Sequence, residues 1–196
     1  MIRLEPPFRP ATPDDAAALT DLVHFASEGL ALHVWTRIAG AGGDPWLIGR
    51  ERARRDTGSF SYRNAVVAEE PAGQVAAALI GYALPDDPEP ISQDMPPMFV
   101  PLQELENLVP GTWYVNVLAA YPEHRGKGYG RALLGIADRI AASEKGPGLS
   151  IIVSDANAGA MRLYQRCGYR EQARRAKVKE DWVAPGTDWV LLVKPA

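Results

Sequence analysis

One stretch of chain constrains this fold more than any other: Tyr121-Pro122-Glu123-His124-Arg125-Gly126-Lys127-Gly128-Tyr129-Gly130-Arg131. Before it runs Trp113 to Ala120, rich in aromatic and β-branched residues, which predicts a buried strand. After it, Leu133, Leu134, Ala137, Ile140 and Ala141 recur on one face and predict a helix over 128–144. The three alternating glycines let the main chain approach a ligand closely and turn its N–H groups inward. The N-terminus of the following helix carries about half a positive charge, which favours a phosphate there. Arg125, Lys127 and Arg131 add three formal positive charges without an intervening acid. Together they form an anion cradle of pyrophosphate size between a strand and a helix.

The other elements assemble around this unit. Phe8 to Asp15 reads as the end of a strand and a helix start, with Thr12 as N-cap, Pro13 at the first helical position and Asp15 as the capping-box acid. Helices are predicted from Ala16 to Ala26, from Leu30 to Ile38 (ended by the glycines at 40–43) and from Trp46 to Arg55. Residues 65–69 and 74–84 predict two antiparallel strands, because the four residues between them cannot form a crossover. Seven prolines in 85–110 exclude a regular strand there and predict a long loop, with a possible short helix at Leu102–Leu108. A strand at Leu149–Val153, a helix at Asn157–Cys167 stopped by Gly168, and strands near 169–178 and 188–193 complete the chain. The expectation is an α/β chain of the α+β kind, a single domain over 1–196 with a mixed sheet and flanking helices.

Composition narrows the classes of function. The 196 residues are 46% apolar and 23% charged, which suits a globular fold. The one cysteine, Cys167, cannot form an internal disulfide, and three scattered histidines leave little material for a zinc site, so no metal is expected. No apolar run is long enough to span a bilayer and the N-terminal residues lack a signal-peptide pattern, so a soluble, cytoplasmic protein without a membrane partner is expected. The net charge of -3 conceals a segregation: residues 64–124 contain nine acids and no Lys or Arg, while the remainder carries a surplus of six positive charges. That pattern disfavours a nucleic-acid surface and suits a site binding an anion at one end and a cation at the other, or simply a solvated acidic face. Two nucleotide motifs fail on the cradle. No Ser or Thr follows Lys127, as a P-loop needs, and the spacing Gly-x-Gly-x-Gly is not the dinucleotide fingerprint. A nucleotide-binding protein with an unusual glycine loop remains an alternative.

Arg125-x-x-Gly128-x-Gly130, entered from an apolar strand and a Tyr-Pro turn, resembles the acyl-CoA-binding motif of the GNAT superfamily of N-acetyltransferases. The segment from Asn157 through Tyr164 to Gly168-Tyr169 resembles that family's second signature. The resemblance extends over about residues 60–194 by the order of elements. It implies a sheet splayed at its central strands with acetyl-CoA, as co-substrate, in the opening. Leu118, Ala119 and Ala120 match the strand residues that pair with the pantetheine arm. Arg125, Gly126, Lys127, Gly128, Tyr129, Gly130 and Arg131 match the pyrophosphate loop. Asn157 matches a pantetheine contact, and Tyr164 the tyrosine near the thioester sulfur. The core would be 111–170, the helices in 1–60 would lie on the substrate side, and the acceptor would be a small-molecule or peptide amine. A monomer or homodimer is expected. Seven residues of helix turn through about 700°, so Asn157 and Tyr164 are also expected to share a face.

Acetyl transfer to an amine needs a neutral nitrogen, a stabilised oxyanion and a leaving thiolate. A main-chain N–H at Leu118 or Ala119 would serve the oxyanion. Ordinary values of about 10 for Tyr and 8.5 for a thiol make full proton transfer from Tyr164 uphill by about 2 kcal/mol, so Tyr164 is expected to act at least as a hydrogen-bond donor. The central-strand positions where family members often carry Glu or His hold Tyr114 and Asn116, and Asn116 can only hold a water or orient the amine. Glu28, His33, Glu123 and a water chain stay open as the proton acceptor. A module that binds acyl-CoA without turnover is the alternative to an enzyme. The aromatics Trp35, Trp46, Tyr62 and Trp113 would either line a pocket for a cationic amine or, more simply, fill the core.

Overall fold

The computed structural model describes residues 2–196, and they group into two compact units, 2–81 with Asn116–Gly135 and Tyr82–Val115 with Ile136–Ala196. Seven strands follow the hydrogen-bonded order β1-β2-β3-β4-β5-β7-β6. They are β1 Phe8–Pro10, β2 Ala65–Glu69, β3 Val75–Ala83, β4 Trp113–Ala120, β5 Gly148–Ser154, β6 Arg170–Ala176 and β7 Asp188–Pro195. β1/β2, β2/β3, β5/β7 and β6/β7 pair antiparallel, and β4/β5 pairs parallel. Leu84 N–H to Thr112 O (2.9 Å) and Tyr121 N–H to Ala76 O (3.0 Å) join β3 to β4 in the antiparallel sense. The sheet is thus mixed and mostly antiparallel, as the sequence predicts. The β4/β5 register comprises Trp113↔Leu149, Tyr114↔Ser150 and Val115↔Ile151, although β4 runs on to Ala120 and β5 to Ser154.

In the first unit the chain enters through β1 and turns at Thr12 into a short 3-10 turn, Pro13–Asp15, that leads into α1, Ala16–Ala26. Asp15 Oδ2 accepts the Thr12 N–H at 2.7 Å, and both Asp15 oxygens accept from Arg9 at 2.8 and 2.9 Å. Arg9 Nε also donates to Glu69 Oε2 at 3.0 Å, so one guanidinium ties β1 and β2 to the helix start. Helices α2, Leu30–Ala39, and α3, Pro45–Ala53, follow. Asp44 caps α3 by accepting the Trp46 N–H at 2.9 Å, and Pro45 takes the first position, where no N–H is needed. Ala16, Leu19, Leu22 and Val23 of α1 pack with Val67, Ala78, Ile80 and Val117 of the strands around Trp35 and Ala53. Trp35 stacks on Phe60 at 5.9 Å and 20°, so it is a core residue. Helix α5, Tyr129–Glu144, begins in this unit.

In the second unit β5 is buried on one face through Leu149, Ile151 and Val153 and on the other through Ser150 and Ser154, and β7 is buried on both through Val190 to Leu192. Trp113 belongs to the same buried set. The edge strand β6 is Arg-Glu-Gln-Ala-Arg-Arg-Ala, a charged sequence that protects an exposed edge from adding another strand. The proline-rich segment holds no strand. It contains a 3-10 turn, Pro97–Phe99, and α4, Val100–Glu106, displaced by two residues from the predicted helix because Pro97 and Pro101 suit the opening positions of helical turns. Helix α6, Ala158–Arg166, starts at Asn157 and stops at Gly168, whose φ of 94° is the left-handed conformation that ends helices. Among the described residues no helix is long and apolar enough to cross a membrane, and no cluster of His, Cys, Asp and Glu could hold a metal.

Candidate active site

The cradle lies in the first unit. Leu118, Ala119 and Ala120 end β4, half-buried, and a 3-10 turn at Pro122–His124 leads into the glycines. Gly126 and Gly128 have φ of 77° and 92°, and a Cβ added at either would meet no atom within 4 Å. These two glycines are therefore demanded by backbone conformation, and the space beside them is left open by the protein. The N–H groups opening α5 have no intrahelical acceptor, and Ala132 N–H to Gly128 O (3.1 Å) starts its ladder. Arg125, Lys127 and Arg131 are exposed around this turn. Arg125 Nε donates to Ala120 O at 3.3 Å and its guanidinium lies 5.9 Å from the Phe25 ring, which directs the side chain along the end of β4. Donors, positive charge and open space fit a pyrophosphate.

A carboxylate from the β2–β3 turn braces this loop. Glu70 Oε1 accepts from Tyr129 Oη at 2.6 Å and lies 3.3 Å from His124 Nδ1, which is 3.0 Å from Lys127 Nζ. The Tyr129 hydrogen bond, with His124 and Lys127 nearby, holds the Glu70 carboxyl below its usual range, and the same bond pushes the Tyr129 hydroxyl up. No spacing rule joins residue 70 to residue 129, so sequence reasoning missed Glu70. Asn116, on β4, is half-buried. Of the suggested proton acceptors, Glu123 is exposed in the 3-10 turn, Glu28 sits at φ 51° between α1 and α2, and His33 lies on α2.

The second unit holds Asn157, Tyr164 and Tyr114. Asn157 is the N-cap of α6 (φ −83°, ψ 64°), and its Oδ1 accepts the Ala160 N–H at 3.1 Å. It stands outside the helical turn, so the shared-face argument applies to Tyr164 and the helix but not to the backbone of Asn157. Capping uses the amide oxygen and leaves the NH2 group for another partner. Tyr164 is 4% exposed, and its ring lies 5.9 Å from that of Tyr169. Burial, and then the neighbouring Cys167, push the Tyr164 hydroxyl well above its usual value. The gap to an ordinary thiol widens accordingly, so the phenol keeps its proton near neutral pH. Tyr114 is also buried, edge-on to Tyr82 at 5.7 Å. Desolvation raises its hydroxyl strongly, with Glu106, Tyr82 and Tyr164 adding to the effect, so it cannot serve as a base near neutral pH. Glu106, at the end of α4, was not among the sequence candidates, although its carboxyl is pushed up to about 7 by burial and by Glu89.

A mixed sheet whose fourth strand runs through a glycine turn into a helix, followed by a strand and a helix ending on a buried tyrosine, defines the class of α+β acyltransferases. Residues 33–169 match the acetyltransferase (GNAT) family, and the chain belongs to it. Members of this family use acetyl-coenzyme A as acyl donor. No curated protein sequence matches the chain. Among solved structures it is similar to a mosquito arylalkylamine N-acetyltransferase like 5b (16% identity, 96% of this chain and 99% of that one, TM-score 0.65). It is similar also to an N-acetyltransferase from Staphylococcus aureus Mu50 (18%, 95% and 98%, TM-score 0.63). A ribosomal-protein-alanine N-acetyltransferase from Brucella melitensis is a third such structure (22%, 96% and 99%, TM-score 0.58). At these identities the likeness establishes the fold.

Proposed function

We propose that the protein transfers the acetyl group of acetyl-coenzyme A to a primary amine by direct attack within a ternary complex. The observation that carries this reading is the pair of left-handed glycines, 126 and 128, facing open space beside three exposed basic residues and the start of α5. Acetyl-coenzyme A, when bound, supplies the activated acetyl thioester. The chain's own residues do the rest. The amides of 126–131 and the side chains of Arg125, Lys127 and Arg131 hold the phosphates. Main-chain groups of Leu118, Ala119 and Ala120 align the pantetheine arm as an added strand would, and the Asn157 NH2 group contacts the same arm. Tyr164 donates a hydrogen bond to the departing sulfur, in keeping with its raised hydroxyl. Asn116 orients the amine or a water.

The test joins two measurements on the purified protein. Calorimetric titration with coenzyme A is expected to give stoichiometric binding, and a panel of primary amines with acetyl-coenzyme A is expected to release free thiol. Binding without thiol release from any amine selects the alternative, a module that binds acyl-CoA but does not turn it over. That alternative draws on β4, where Tyr114 and Asn116 stand and no carboxylate or imidazole does. Absence of coenzyme A binding rejects both.

A further inference from the structure

The turn that carries Asn157 into α6 is held from outside by a buried lysine. Lys177, just past β6, is 9% exposed. Its Nζ donates to Ser154 Oγ at 2.5 Å and to Pro185 O at 2.9 Å, and it lies 4.5 Å from the centroid of the Trp189 ring and 5.7 Å from that of Trp182. The two indoles stack on each other at 6.0 Å and 12°. Lysine is seldom so enclosed, because an ammonium taken from water costs several kcal/mol unless oxygens and ring faces replace its hydration. An apolar side chain of similar volume would fill the space without that cost. Packing alone therefore does not account for a lysine at 177. What the ammonium adds is direction, through donors aimed at two chosen oxygens.

Those oxygens belong to the two segments that the lysine joins. Ser154 ends β5; its hydroxyl also accepts the Ala156 N–H at 3.3 Å, and its carbonyl accepts the Asn157 N–H at 3.0 Å. Pro185 belongs to the loop between β6 and β7, which lies directly on the same turn. Thr187 N–H and Oγ1 donate to Asp155 at 3.0 and 3.1 Å, Asp155 N–H donates to Asp188 O at 3.1 Å, and Lys177 N–H donates to Thr187 O at 2.8 Å. At Gly186 (φ 75°) a Cβ would collide with Asp155 Oδ1 and stand 3.0 Å from Ala156 Cβ and Ser154 Oγ, so the loop leaves no room there for a side chain. Asn157 is the next residue, and its φ of −83° and ψ of 64° are neither helical nor extended. With its Oδ1 fixed on the Ala160 N–H at 3.1 Å, the direction of its NH2 group is set by the turn that precedes it.

We propose that Lys177 is a positioning residue for cofactor binding: acting through Ser154, it fixes the turn at 154–157 so that the Asn157 NH2 group meets the pantetheine arm. The proposal rests on the acetyltransferase reading for the identity of that arm. The turn is ordered before coenzyme A arrives, so binding does not have to order it. Neither Lys177 nor Ser154 needs to touch the cofactor.

The experiment compares affinity with local order. Lys177→Met and Ser154→Ala remove the bond from either end, and Asn157→Ser keeps a capping oxygen while removing the NH2 group. Each is made singly, and the first two also in the Asn157→Ser background. Calorimetry is expected to show coenzyme A bound about fivefold more weakly by Lys177→Met and by Ser154→Ala. The nucleotide half of coenzyme A, which keeps the pyrophosphate and lacks the pantetheine arm, is expected to bind both variants as it binds wild type. In the Asn157→Ser background neither change is expected to weaken coenzyme A further, because the group being positioned is gone. Amide hydrogen exchange without ligand is expected to quicken in Lys177→Met and Ser154→Ala by about tenfold at Ala160, whose N–H the Asn157 side chain caps, and by less than about twofold at Ile151 inside β5. Ser154→Ala, the smaller change, carries the test if Lys177→Met does not fold. Unchanged coenzyme A affinity in the folded variants, or equal weakening with and without the Asn157 amide, overturns the proposal. So does exchange that quickens by the same factor at Ala160 and Ile151, the mark of a general loss of stability. No coenzyme A binding by the wild type, with Ala160 exchange still dependent on Lys177 or Ser154, overturns the acetyltransferase reading instead and leaves the hold of Lys177 on Asn157 standing.

Discussion

Gly58 and Gly128 share a backbone conformation, with φ of 90° and 92°, and neither would bring an added Cβ within 4 Å of another atom. They differ in what lies around them: Gly58 sits among Asp56, Thr57, Ser59 and Phe60, Gly128 among Arg125, Lys127 and Arg131. An alanine at either position must hold a left-handed conformation, at a cost of about 1 kcal/mol. Gly58→Ala and Gly128→Ala are therefore expected to lower the melting temperature by the same few degrees. Only Gly128→Ala is expected to weaken coenzyme A, by about tenfold or more, because its methyl occupies space the phosphates need. Calorimetry on the two variants separates backbone strain from ligand contact. Equal coenzyme A affinity in both would show that the glycine turn is merely a turn.

At the level of elements, packing outweighs propensity at Gly49. A glycine inside α3 costs about 1 kcal/mol of helix propensity relative to alanine. Yet a Cβ there would stand 2.5 Å from Thr20 Cγ2 and 2.9 Å from the Trp35 ring. Neither neighbour can retreat, since Thr20 is buried with its hydroxyl bonded to Ala16 O at 2.7 Å and Trp35 is stacked on Phe60. Overpacking of this kind costs about 1–3 kcal/mol, so Gly49→Ala is expected to lower stability in urea titration by about 1 kcal/mol net. The same contrast explains what the sequence revealed. Strands and helices were legible wherever one element's own residues decide it: β4 from its β-branched run, α1 from its capping box, the cradle from contiguous glycines and cations. Asn157 was legible as a helix start, although its placement at the cap, outside the turn, depends on its own φ and ψ. Glu70 and Glu106 were not legible. Glu70 braces the loop by meeting Tyr129 across 59 residues of chain, and Glu106 gets its half-buried setting beside an Asn107 clamp onto Glu89 made 18 residues away. Neither separation has a period, and burial of a charge is visible only after the chain has folded.

For the whole molecule the relevant quantity is charge and how much of it water can reach. The acids of 64–124 and the basic surplus elsewhere were evident from the sequence, whereas the extent to which each group is screened follows from burial. Arg125, Lys127 and Arg131 are exposed, so a phosphate bound by them is held across a salt-permeable surface. Glu106 is half-buried, and screening acts less on a charge held there than on the exposed cations. Raising ionic strength from about 0.1 M to about 1 M shortens the Debye length from about 10 Å to about 3 Å. Coenzyme A affinity is expected to fall about tenfold or more over that range, while a pantetheine thioester lacking the nucleotide phosphates changes less than about twofold. Calorimetry at several salt concentrations reads both slopes. A coenzyme A affinity that ignores salt would mean that the basic turn after β4 does not hold the phosphates, and the three exposed cations would then need another explanation.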